Sequence, residues 1–171
     1  MPDAWSWTNI AGKAREALVA QGWPIPRRPQ TSIDLLSLPE DVDKVGDLQL
    51  ANLTLRLQAW YAYATSHLAF TRAEESALSE AFEVRLGVEM DKVQRESERR
   101  QVKEMIRGVA IHGSSELAQW HDRLNTLTQS VGILEGFVAS LRIQCEALNN
   151  EQIRRASARK MEAIGVYQAG R

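Results

Sequence analysis

Five cations, Lys92, Arg95, Arg99, Lys103 and Arg107, follow one another at intervals of 3, 4, 4 and 4. On a helix those intervals line up along one stripe. Guanidinium and ammonium groups in such a row would hold a phosphate backbone through charge-assisted hydrogen bonds. Arg100 flanks the row, and residues 91–107 carry six cations against four carboxylates, or +2. Glu96, Glu98 and Glu104 interleave, so a solvated face of intrahelical pairs, Glu96 with Arg100 among them, is the competing reading. A second island, Arg154, Arg155, Arg159 and Lys160, sits where residues 149–171 hold five cations and two carboxylates, or +3. It reads either as a second phosphate surface or as a solvated, subunit-contacting terminus. The whole chain is −1 (21 minus 22), so any attraction for an anion is local.

Catalytic chemistry finds no comparable pattern. His67, His112 and His121 are the only histidines, and the chain lacks HExxH, GxSxG, a phosphate-binding glycine loop and a cysteine pair. His112, His121 and Cys145 match no standard zinc spacing. The single Cys145 excludes an intrachain disulfide and suits a reducing, cytoplasmic compartment. Apolar runs fall far short of the ~20 residues that cross a bilayer. The expectation is a non-enzymatic protein with no catalytic residue, no metal, no cofactor and no membrane partner.

The cations must be positioned by helices. All five prolines lie at or before Pro39, and the 132 residues after it are rich in Ala, Leu, Glu, Gln and Arg. This divides the chain of 171 residues into an N-terminal arm, 1–39, and an elongated helical body, 40–171. In the arm, Trp7, Ala11, Ala14 and Leu18 share one face of a short amphipathic helix that Gly22 stops. Trp23-Pro-Ile-Pro-Arg-Arg-Pro29 follows as an extended tether, and the Trp-rich arm, with Trp5 and Trp7 at its start, is read as docking onto the body or a neighbouring subunit, with base stacking as the alternative. Ser37 to Glu40 has capping-box spacing, and Asp47 is placed to cap a long helix bearing Leu50, Leu53, Leu57, Trp60, Ala64 and Leu68, then Leu78, Phe82, Leu86, Met90 and Val93. Unbroken from 47 to 107 it would extend ~90 Å. Trp60, Tyr61 and Tyr63 concentrate rings there; Trp60 fits the apolar stripe, whereas exposed rings would stack on bases.

Gly108 and Gly113 bracket an expected break, with Ser114 or Ser115 as the next cap. Beyond it Leu117, Trp120, Leu124, Leu127, Val131, Leu134, Val138, Leu141, Cys145 and Leu148 alternate at intervals of 3 and 4. That is the spacing of a coiled-coil seam, and the residues from Leu117 to Leu141 are assigned to oligomerisation. Ile133, Phe137 and Ile143 add apolar surface outside the seam, so this helix calls for more than one neighbour. Asn149 is placed to cap a last helix. With no strand alternation, the fold is expected to be all-α, a long helical hairpin with a coiled-coil-like body.

In this order the body resembles the UvsY-type recombination mediators of tailed phages, from about residue 55 to the C terminus. The resemblance is carried by the aromatic-bearing Leu57-Gln-Ala-Trp-Tyr-Ala-Tyr63, the charged Thr71-Arg-Ala-Glu-Glu75 and the stretch Arg99-Arg-Gln-Val-Lys-Glu-Met-Ile-Arg107. An apolar helix with Trp120 and Phe137 follows, and the basic Ile153-Arg-Arg-Ala-Ser-Ala-Arg-Lys160 closes it. It implies a homo-oligomeric, ring-like helical protein of the bacterial host's cytoplasm that binds single-stranded DNA. Its partners would be a RecA-type recombinase and single-strand-binding protein. Both basic islands would then contact phosphates. The Trp-rich arm departs from the family pattern. A structural coiled-coil protein of the phage virion or a scaffold, without nucleic acid, is the alternative that needs only the heptads and the arm.

Overall fold

The computed structural model describes residues 7–23, 27–31, 38–39, 41–96 and 102–169. Trp5, Ser37, Glu40, Arg99 and Arg100 lie outside the described residues. The expectation of an all-α fold is met: the described residues form four α-helices and a short 3-10 turn, with no strand among them. The helices are α1 (Trp7–Ala20), α2 (Asp47–Glu96), α3 (Lys103–Gly113) and α4 (Ser115–Ala169), and the 3-10 turn is Val42–Lys44. The chain groups into two units. The first joins 1–25 to 66–134, and the second joins 26–65 to 135–171, so α2 and α4 contribute to both.

In the first unit the buried side chains of Leu78, Phe82 and Leu86 on α2 meet Ala110 and Ile111 on α3 and Leu117, Trp120 and Leu127 on α4. Glu75 accepts from Thr128 at 2.5 Å and Arg85 reaches Glu116 at 3.3 Å. Later α2 residues therefore meet earlier α4 residues, and the two helices run antiparallel. α1 joins this unit through Ile10, packed on the same core, and Arg15, whose guanidinium lies 5.5 Å from the Phe70 ring centroid. Its end is set by Gly22 at φ 88°, a left-handed turn that glycine takes without a Cβ clash. The Trp23 N–H then reaches the Leu18 carbonyl and the Gly22 N–H reaches that of Val19, the two bonds of a Schellman cap.

In the second unit Leu50, Leu57, Trp60 and Ala64 of α2 pack on Leu141, Cys145 and Leu148 of α4. Gln152 donates to the Thr54 hydroxyl at 2.9 Å, and Arg155 reaches Asp47 at 2.9 Å, again antiparallel. The arm contributes a strap over Trp60: the indole N–H donates to the Thr31 carbonyl at 3.1 Å, and Arg28 lies over the ring at 5.7 Å.

The segment from 47 to 107 is not one helix: α2 is described as far as Glu96, Val102 is extended, and α3 starts at Lys103. Two expected boundaries are corrected. The break expected from Gly108 to Gly113 is helical, because Ala110 and Ile111 bury against α2 and α4 and tertiary packing outweighs glycine's weak propensity. The chain breaks at Ser114 alone, whose hydroxyl caps α4 by accepting from the Leu117 N–H at 3.3 Å. No new helix starts at Asn149; α4 runs through it, with Leu148 fully buried on one side and Gln152 bonded to Thr54 on the other.

Candidate nucleic-acid interface

The first basic row is divided between helices. Lys92 and Arg95 end α2, Lys103 and Arg107 belong to α3, and Arg99 is outside the described residues. A single helical stripe is therefore not formed, because the backbone is extended at Val102, between the helix that carries Lys92 and Arg95 and the one that carries Lys103 and Arg107. Arg107 turns inward to Glu83, 2.7 Å away, and its guanidinium lies 5.9 Å from the centre of the Phe82 ring. The hydrogen bond from Arg107 holds the Glu83 carboxyl below its ordinary value. Lys92 pairs with Glu89 at 2.7 Å, whereas Arg95 and Lys103 are exposed on the surface. Between α2 and α3 a groove of about 510 Å³ is lined by Glu83, Asp91, Lys103 and Arg107 over a floor of Leu86 and Ile106. Its acids and bases balance, so it offers no net field for an anion.

The second island is a cluster on one helix, divided by what each cation touches. Arg155, 15% exposed, donates to Glu151 at 2.7 Å and to Asp47, and its other hydrogens reach the carbonyls of Val42, Val45 and Asp43. Every part of that guanidinium is engaged, Nε within α4 and both terminal nitrogens in tying the 42–47 turn to it, which makes it a structural group. Arg154 forks onto Glu151 at 2.7 and 2.8 Å with its side chain 63% exposed. Hydrogen bonds from Arg154, then Arg155, pull the Glu151 carboxyl down to about 2. Arg159, 61% exposed, pairs with Asp47, and Lys160 stands in solvent. Glu151 lies three and four residues before the two arginines and was legible in the sequence as their partner; Asp47 was not, since only folding brings it close.

The seam is spent inside the chain. Leu117, Trp120, Leu127, Val131 and Leu141 are buried, and Leu124, Leu134 and Val138 are half-buried. Their neighbours include the Leu78–Phe82–Leu86 row in one unit and the Leu50–Leu57–Trp60 row in the other. A heptad marks a face that must be covered without saying by which helix; here α2 of the same chain covers it, so these residues are not placed to join separate copies. Trp60 is buried with Tyr63 edge-on at 5.7 Å, and Tyr61 and Tyr63 are half-buried; none of the three stands as an open stacking platform.

His112 is exposed near the end of α3, and His121 lies 5.9 Å from Phe82 with its Nδ1 near the Asn125 amide. Cys145 is buried in the second unit's core, and burial raises its thiol above the ordinary range. Among the described residues no three His, Cys, Asp or Glu side chains converge on a point that would hold a metal ion, and no helix is long and apolar enough to cross a membrane. Compared with family models, with curated proteins and with solved structures, the chain matches none.

Proposed function

We propose that the chain is a non-enzymatic, single-strand DNA-binding protein that works as several copies, of the UvsY-like kind that helps load a RecA-type recombinase. The observation that carries the reading is the C-terminal part of α4. Residues 156–164 are exposed throughout, beyond the last core leucine; Arg159 and Lys160 stand on this segment in solvent, and exposed Arg154 lies just before it. Their carboxylate partners do not block it. Arg154 and Arg159 keep most of their side-chain surface in solvent, where ion pairs exchange partners readily, so a phosphate can take the place of Glu151 or Asp47. Each copy then offers a weak, non-specific grip, and several copies on one strand raise the affinity by avidity. The cytoplasm of a phage-infected bacterium is the compartment this reading implies.

Fluorescence anisotropy with oligothymidylate tests it. Affinity should fall as salt rises, because released counterions drive the binding. Arg154→Gln, Arg159→Gln and Lys160→Gln together should weaken binding at least about tenfold and flatten the salt slope by roughly two. Circular dichroism should be unchanged, since none of the three is buried. An absent or salt-independent association with the unaltered chain rejects the reading.

One observation favours a second reading, a structural helical protein without nucleic acid. The seam and the guanidiniums of Arg107 and Arg155 are all satisfied within the chain, and a purely architectural protein asks nothing more of them. Under it the three glutamine substitutions have no DNA affinity to change.

A further inference from the structure

The face of α4 turned away from Leu141, Cys145 and Leu148 bears a second apolar row that nothing in the described chain covers. Ile143, Ile153, Met161 and Ile164 lie on it, 62, 64, 72 and 47% exposed. Taking Asn150 as the centre, the helical repeat places all four within about 60° of it, opposite the core. The row is uneven along its length. Its first end carries Gly136 and Ala139 and its last end Met161 and Ile164; between them Ile143 and Ile153 are large where Ala147 and Ser157 are small. A Cβ added to Gly136 would meet nothing within 4 Å, so no contact inside the chain calls for a glycine there, although glycine weakens a helix interior.

This unevenness selects the occupant. We propose that a second copy of the chain docks on this face, its α4 antiparallel to the first, with the two-fold axis passing beside Asn150. Reversal about residue 150 sets Ile164 over Gly136, Met161 over Ala139, Ile153 over Ala147 and Ile143 over Ser157, large upon small at each level. It also sets Glu146 opposite Arg154, twice by symmetry, and leaves Asn150 facing its own copy. A parallel pair would do the reverse: Glu146 would meet Glu146, Arg154 would meet Arg154, and bulk would crowd one end while the other stayed hollow. Within the single chain Glu146 pairs with Arg142 at 3.4 Å and Arg154 with Glu151, all of the arginine and Glu146 side chains over 60% exposed. Such pairs rearrange readily. The contact spans residues 136–164, ~42 Å of helix, and an isologous pairing of this kind closes on itself without leading to fibres. The pairing engages Arg154 and leaves Arg159 and Lys160 for a phosphate; because it is tested without nucleic acid, its failure and that of the DNA-binding reading are separate results.

Sedimentation equilibrium of the full chain, without DNA, should show reversible self-association. Ile143→Asp should weaken it at least about tenfold, the scale of a central interface residue. Because Ile143 is exposed in the single chain, helicity should hold. Gly136→Leu should also weaken association while helicity stays the same or rises, a combination that damage to the fold does not produce. Orientation is read by cysteine pairing in a Cys145→Ser background. Asn150→Cys should oxidise to a linked dimer. Met161→Cys alone should not, but should link when mixed with a chain carrying Ala139→Cys. A monomer at all concentrations, an association indifferent to both Ile143→Asp and Gly136→Leu, or self-linkage of Met161→Cys overturns the proposal.

Discussion

Arg155 Nη1 stands 2.9 Å from Asp47 Oδ1, joining the first residue of α2 to the late part of α4. The same guanidinium holds the carbonyls of Val42 and Asp43 at 2.9 and 3.1 Å, so one side chain fixes both the helix start and the turn before it. Its role is that of a clasp within the second unit.

Removing the clasp should cost stability. Arg155→Met keeps most of the stem and loses the charged hydrogen bonds, with an expected loss of about 2 kcal/mol in urea unfolding. Arg155→Lys should restore less than half, because a single ammonium cannot reach carbonyls and carboxylates on several sides as the planar fork does. Full stability in Arg155→Met would show that the turn is held by Leu38, Val42 and Val45 packing alone.

Acid should act through Glu151. Its folded-state carboxyl lies near 2, below the ordinary 4.5, chiefly through the hydrogen bond from Arg154 and then that from Arg155. A depressed carboxyl stabilises the fold above its unfolded-state value and loses that contribution as pH falls through the folded-state value. Glu151→Gln should therefore lower the urea midpoint at pH 7, with the gap to the unaltered chain closing between about pH 4.5 and pH 2. A gap that persists below pH 2 would mean that Glu151 acts through something other than its charge.

Truncations along the seam should follow burial. Leu148→Ala, at a fully buried site, is expected to cost about 2–5 kcal/mol, as a cavity in a core does. Leu134→Ala, half-buried, should cost clearly less. Because Leu148 belongs to the core of a single chain, its loss should not depend on protein concentration. A loss that shrinks as concentration rises would place the seam between copies.

The strap over Trp60 gives a local readout. Trp60→Phe keeps a ring in the core but removes the donor to the Thr31 carbonyl, so trypsin should cut after Arg27 several-fold faster, while the Arg28–Pro29 bond resists it in both forms. The global cost should be about 1 kcal/mol, that of one hydrogen bond. Unchanged cleavage would mean that the cation–π contact of Arg28 suffices to hold the segment.

The sequence by itself determined an all-α chain and the faces its helices must hide. The run from Leu117 to Leu148 at intervals of 3 and 4, the row Leu50–Leu57–Trp60–Ala64, a cap at Ser114 or Ser115 and the stop at Gly22 were all legible, because helical periodicity and capping are local properties of the chain. Glu151 beside Arg154 and Arg155 was legible for the same reason. What only the tertiary structure decided is which faces meet. An apolar stripe is non-directional and satisfied by any fitting partner, so the heptad could not say that α2 of its own chain would cover it. Nor could charge spacing show that Asp47 and the carbonyls of Val42, Asp43 and Val45 would claim Arg155, or that Glu83 would claim Arg107. Those groups lie 24 to 113 positions away, and pairing over such distances depends on how the helices pack, which no local pattern encodes.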